Sequence, residues 1–121
     1  MKTKILIVDD SKPDVFLLTE YLKKMGINPS DIVNANIGEK AITLFEDNPT
    51  DFKFVLMDVQ LPGKFDGYET TKKLMDIFPV PIIIESASYK KENPDVGYIG
   101  FLKKPYMKND LFNILNDLKL I

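Results

Sequence analysis

The chain has no cysteine and no histidine, and each of its 16 basic residues is a lysine. Without cysteine, disulfides and thiol chemistry are excluded, and nothing in the composition requires an oxidising compartment. Without histidine, the commonest general base and the usual zinc sites are gone. Without arginine, a bound phosphate must be held by ammonium groups, hydroxyls and backbone N–H groups. Long hydrophobic runs are missing too. The early apolar run Ile5–Val8 is far too short for a signal peptide or a membrane span, so a cytoplasmic chain with no membrane association is expected. A net charge of -2 argues against direct nucleic-acid binding. No repeat, low-complexity tract or linker interrupts the 121 residues. A single domain over residues 1–121 is expected, with any output domain outside this stretch. At this size, a domain buries roughly two-thirds of its unfolded surface and needs no staples.

Five β-rich runs stand out: Lys4–Val8 (KILIV), Asp31–Ala35 (DIVNA), Phe54–Met57 (FVLM), Pro81–Glu85 (PIIIE) and Ile99–Leu102 (IGFL). The first, third and fourth are almost continuously apolar, as in strands covered on both faces. Helical spacing lies between them. Val15, Leu18, Leu22 and Met25 recur on one face, with a start near Ser11, Pro13 in the first turn and Gly26 as the stop. Ala41, Ile42 and Phe45 mark a second helix after Gly38, and Tyr68, Thr71, Leu74 and Met75 a third before Pro79. Leu111, Ile114, Leu115 and Leu118 mark the last, with Asn109 as the expected N-cap. Strand and helix alternating throughout predict an α/β fold with a parallel sheet. In such sheets ligands bind at the carboxyl ends of the strands.

Those ends carry polar groups: Asp9 and Asp10 after the first strand, Asp58 after the third, Glu85-Ser86-Ala87 at the fourth and Lys103-Lys104-Pro105 after the fifth. Carboxylates gathered on one rim repel and raise each other's pKa unless a cation joins them. Oxygen ligands alone favour a hard cation, and Mg²⁺ fits best. The set predicts phosphoryl transfer. Asp58, single and at the end of the central strand, is the candidate nucleophile, and the Asp9–Asp10 pair suits the metal. A lysine and the Ser86 hydroxyl can bond phosphoryl oxygens. Taken singly, each residue has a plainer reading. Asp9 or Asp10 could cap the first helix, Asp58 could cap a turn, and Lys103 and Lys104 could be solvated surface charge. The surface reading is kept for Lys103.

In this order, the segments KILIVDDS, VLMDVQLP, DGYE, PIIIESA and FLKKPY resemble the receiver domain of two-component response regulators over essentially the whole chain. The resemblance implies a flavodoxin-like, doubly wound five-stranded sheet in the order 2-1-3-4-5 with helices on both faces. By position, it implies that Asp58 is the phosphoacceptor and one of the Mg²⁺ ligands. Asp10 would be a direct Mg²⁺ ligand, Asp9 a weaker or water-mediated one, and Gln60 a donor of its backbone carbonyl to the metal. Ser86 would be the switch hydroxyl, with Ala87 the small neighbour that leaves room for phosphate. Lys104 would be the phosphate-binding lysine before a cis-proline, and Phe101 the rotating aromatic of the switch. The implied partners are a sensor histidine kinase or histidine phosphotransfer protein as donor, and an output domain or partner protein. The implied activity is that of a signalling switch rather than an enzyme. Phosphorylation would rebalance two states of the surface made by the family's fourth helix, fifth strand and fifth helix.

Two departures from the family pattern follow. The run Gly63-Lys64-Phe65-Asp66 before Gly67 holds an extra residue. It reads either as a tolerated insertion or as an altered docking surface. The segment between Ser86 and Lys104 is short and carries Pro94, so a fourth helix there should be short, displaced or absent. Two rivals stand beside the switch. One is a degenerate receiver that acts as an interaction domain without phosphate. The other is an aspartate-nucleophile phosphatase, which would want a second Asp at the position of Gln60. Nucleotide binding is disfavoured, because neither GxGxxG nor GxxxxGK[ST] occurs.

Overall fold

In the computed structural model, residues 2–87 and 95–121 are described. Strand β1 (Lys4–Val8) leads to helix α1 (Lys12–Lys24), then β2 (Ile32–Ala35), α2 (Gly38–Asp47), β3 (Phe52–Asp58), α3 (Gly67–Ile77), β4 (Ile82–Ser86), β5 (Gly100–Lys103) and α4 (Lys108–Asp117). Short 3-10 turns at Pro29–Asp31 and Pro49–Asp51 precede β2 and β3. The five strands form one parallel sheet in the order β2-β1-β3-β4-β5. This is the architecture and strand order expected above.

The two-residue period of the strands divides the core. Leu6, Val8, Val55, Met57, Ile82 and Ile84 face one way, onto Phe45 of α2 and Leu74 of α3. Ile5, Ile7, Phe54, Leu56, Ile83 and Leu102 face the other way, onto Leu18 and Leu22 of α1 and Leu111 and Leu115 of α4. Each fully buried Leu or Ile contributes roughly 1.5–3 kcal/mol relative to exposure, so the strand tips are held by a stiff, two-sided core.

Helix ends follow their local chemistry. Ser11 caps α1 through its hydroxyl, which accepts from the Asp14 N–H at 3.3 Å. Gly26, at φ +93, stops the chain after α1. Asp66 and Glu69 close a reciprocal capping box on α3, at 2.8 and 3.1 Å. Asn109 does not cap α4. The helix starts at Lys108, and the Asp110 carboxylate accepts the Met107 N–H at 2.8 Å, so the acid one residue later does the capping. The expectation of a short or irregular helix between β4 and β5 falls mainly on residues 88–94 and lies outside the described residues.

Candidate functional site

Asp9, Asp58, Glu85 and Lys104 each stand two residues beyond an apolar residue of one face of the sheet: Ile7, Leu56, Ile83 and Leu102. The period of two therefore directs all four side chains to the α1/α4 side of the rim. Hydrogen bonds that continue the ladder hold the tips in line. The Asp9 N–H donates to the Ala35 carbonyl at 3.0 Å, the Val59 N–H to that of Glu85 at 3.1 Å, and the Lys104 N–H to that of Ser86 at 2.8 Å. Asn34 ties the outer edge, its amide donating to the carbonyl of Ile7 at 2.9 Å and that of Asp9 at 3.3 Å.

The fold brings the expected acids together. One carboxylate oxygen from each of Asp9, Asp10 and Asp58 lies within 4.8 Å of the other two. Asp9 and Asp58 are buried and Asp10 is exposed, so the cluster opens to solvent on one side. An all-oxygen set of this kind suits a hard divalent cation that keeps some of its water. Asp9 is oriented by the Ser11 N–H, which donates to Oδ1 at 2.9 Å.

Lys104, joined to Pro105 by a cis peptide bond, extends its side chain into the cluster. Its ammonium donates to Asp14 Oδ2 at 3.0 Å, Asp9 Oδ2 at 3.3 Å and Asp58 Oδ1 at 3.4 Å, and it lies 3.9 Å from Glu85 Oε1. Burial works against its charge, but the bond to Asp14 and the charges of Asp58, Asp9 and Glu85 outweigh it and raise its pKa.

The carboxyls respond in the opposite sense. Burial pushes Asp58 up to about 6, opposed by Lys104 and reinforced by repulsion from Asp9. Asp9 is also raised by burial, against the pull of the Ser11 N–H and Lys104. Glu85, only 1% exposed, is pushed up to about 8 by burial, with Lys104 opposing. Neither of its oxygens makes a hydrogen bond of full geometry among the described residues, although the Tyr106 hydroxyl faces the same carboxyl. The tyrosine is raised in turn, by burial and by Glu85.

The other expected residues are spread around this centre. Ser86 is buried at the end of β4, opposite Lys103 in the ladder, and alternation puts it on the face of Ile84. Phe101 is half-buried against that same α2/α3-side cluster and pairs with Ile84 in register. Phe101 thus belongs to Ser86's face of the sheet and not to that of Lys104. Ala87, Gln60 and Lys103 are exposed.

Two neighbours were given no role from the sequence. Asp14 stands in the first turn of α1, and its link to Lys104 spans 90 residues. Glu85 could be suspected as the acid that continues an apolar strand face. The extra residue in the loop after β3 also has a structural setting. Gly63 takes φ +90, and a Cβ there would sit 3.1 Å from both carboxylate oxygens of Glu39. Glu39, in the first turn of α2, accepts the Lys64 N–H at 3.3 Å, so the lengthened loop is latched to α2.

Known proteins show the same frame. The family model of the response regulator receiver domain matches residues 5–116. The chain is 32% identical over 117 residues to the autoinducer 1 sensor kinase/phosphatase LuxN of Vibrio campbellii, covering 93% of this chain and 13% of that protein. It therefore spans only a small part of that relative's length. A chain of the CheX–CheY–BeF3–Mg²⁺ complex from Borrelia burgdorferi superposes with a TM-score of 0.86 at 26% identity, over 95% of this chain and 88% of that one. The receiver domain of a sensor histidine kinase from Pseudomonas aeruginosa, solved with magnesium in its active-site cleft, gives 0.82 at 24% identity over 97% of both chains. Among the described residues, no helix is long and apolar enough to cross a membrane.

Proposed function

This chain belongs to the response regulator receiver domain family, and we propose that it accepts a phosphoryl group from a phosphohistidine donor onto Asp58, with Mg²⁺ as cofactor, and acts as a signalling switch. The observation that carries the reading is the convergence of Asp9, Asp10 and Asp58 oxygens within 4.8 Å, with the Lys104 ammonium 3.4 Å from Asp58.

In the transfer step, an Asp58 carboxylate oxygen bonds to phosphorus as the phosphorus–nitrogen bond to the donor imidazole breaks. The imidazole leaves with that electron pair. Lys104 releases Asp58 and takes up one phosphoryl oxygen, the Ser86 hydroxyl donates to another, and Ala87 leaves room for the group. Asp10 would hold Mg²⁺ as the stronger ligand and Asp9 as the weaker one, and Gln60 would offer its backbone carbonyl. When bound, the metal neutralises charge on the transferring phosphoryl group.

The shared face of Ser86 and Phe101, opposite that of Lys104, supports a readout through these two residues. Drawing Ser86 toward the phosphoryl group vacates space beside β4, and Phe101 turns in to fill it. The surface along the β5 edge then changes its shape and its affinity for an output partner. A sensor kinase or a histidine phosphotransfer protein is the donor class this chemistry needs, and the likeness to part of a sensor kinase/phosphatase supports it.

Intact-mass measurement with Mg²⁺ and acetyl phosphate tests the reading. One phosphoryl adduct is expected on the wild-type chain and none on Asp58→Asn. An unmodified wild-type chain with its fold intact would overturn the reading in favour of a phosphate-independent interaction domain.

A further inference from the structure

Lys104 touches more carboxylates than phosphoryl transfer requires. Asp9 and Asp58 belong to the acidic cluster, but Asp14 does not. It stands in the first turn of α1, its side chain 44% exposed, and its Oδ2 makes the shortest of the lysine's contacts at 3.0 Å, against 3.3 Å to Asp9 and 3.4 Å to Asp58. The Ser11 cap fixes that turn, because the hydroxyl accepts the Asp14 N–H itself. The aspartate is therefore held beside the lysine by the start of its own helix.

Resting on the phosphorylation reading, we propose that Asp14 is a positioning residue that holds the Lys104 ammonium in competition with the phosphoryl group, and so sets how readily the site accepts phosphate. An anion arriving at Asp58 needs that ammonium. Asp14 retains part of it and adds a negative charge nearby, and both effects oppose the anion. A cation meets the reverse. By drawing the ammonium away from Asp9 and Asp58, Asp14 frees their oxygens for Mg²⁺, and its own charge adds to the attraction.

The two ligands should thus respond to loss of Asp14 with opposite signs. A residue that only braced the fold would weaken both. Calorimetric titration of the full chain separates the cases: first Mg²⁺ alone, then beryllofluoride at saturating Mg²⁺, on wild type, Asp14→Asn and Asp14→Leu, with thermal unfolding alongside. In both variants beryllofluoride should bind about two- to fivefold tighter, the range open to a partly exposed ion pair, while Mg²⁺ alone binds equally or more weakly. Beryllofluoride affinity that does not rise, or two affinities that move in the same direction, overturns the role of Asp14. Failure of the wild-type chain to bind beryllofluoride sinks the phosphorylation reading, and this inference with it.

Discussion

Gly67 is packed against the backbone of Asp58, so closely that a Cβ would run into the Asp58 carbonyl oxygen. The Gly67 N–H also donates to the Val59 carbonyl at 2.8 Å. The first residue of α3 and the tip of β3 are thus a single packed unit. Gly67→Ala should cost about 2–3 kcal/mol, the scale of a forced overpacking, because the obstruction is backbone and no side chain can swing aside. Urea unfolding checks the stability. The same variant should lose Mg²⁺ affinity, because Asp58 must shift to admit the methyl group.

Mg²⁺ binding should be strongly pH-dependent. Asp9 and Asp58 are both raised, Asp58 to about 6, and a carboxylate must be deprotonated to take the metal. In the metal-free protein, a raised carboxyl contributes stability below its unfolded pKa and loses it as pH climbs through the folded value. Added Mg²⁺ acts in the other direction. Its upward shift of Tm should be near zero at about pH 5 and fully developed by about pH 8. Thermal scans with and without the ion across that range provide the measurement, and a shift that does not vary with pH would contradict the assignment.

Glu85 should leave its own mark on the pH–stability curve. Its pKa rises from 4.5 to about 8 on folding. Wild type should therefore be fully stabilised below about pH 4.5, then lose ground to Glu85→Gln as pH rises toward about 8, by a few kcal/mol in total. Chemical denaturation of the two proteins without metal at several pH values reads the difference directly. Parallel curves would mean that Glu85 is ionised in the fold.

The latched loop predicts a coupling. Gly63→Ala forces a side chain into the left-handed region and toward the Glu39 carboxylate, which should cost about 1–2 kcal/mol. In a Glu39→Ala background the second part of that penalty disappears. The double-mutant cycle should show a coupling of about 0.5–1 kcal/mol, and strict additivity would mean that the latch carries no energy.

The sequence foretold most where one strand's environment is uniform. KILIV, FVLM and PIIIE are apolar on both faces, so β1, β3 and β4 and their polar tips were legible from pattern alone. β2, β4 and β5 each begin one residue later than the pattern suggested and β3 begins two residues earlier, at Phe52; Asp31 is taken into a 3-10 turn, and Pro81 and Ile99 stay outside their strands. Asn109 was a reasonable cap by residue type, but Asp110 competes for the same end of α4 and holds it. The cluster of Asp9, Asp10, Asp58 and Lys104 could be foreseen because each member ends a strand. Asp14 and Glu39 could not, since neither ends a strand and each acts on a residue brought near only by packing.

The aspartates of this rim also have a kinetic consequence. Asp9, Asp10, Asp14 and Asp58 outnumber the positive charge of Lys104, so the bare rim presents a negative potential to any approaching phosphorylated donor. On the proposed reading, a divalent cation reverses that sign before an anion can approach. The order of arrival is then set by electrostatics: metal first, phosphoryl group second. The free metal concentration becomes a throttle on the encounter as well as on the chemistry.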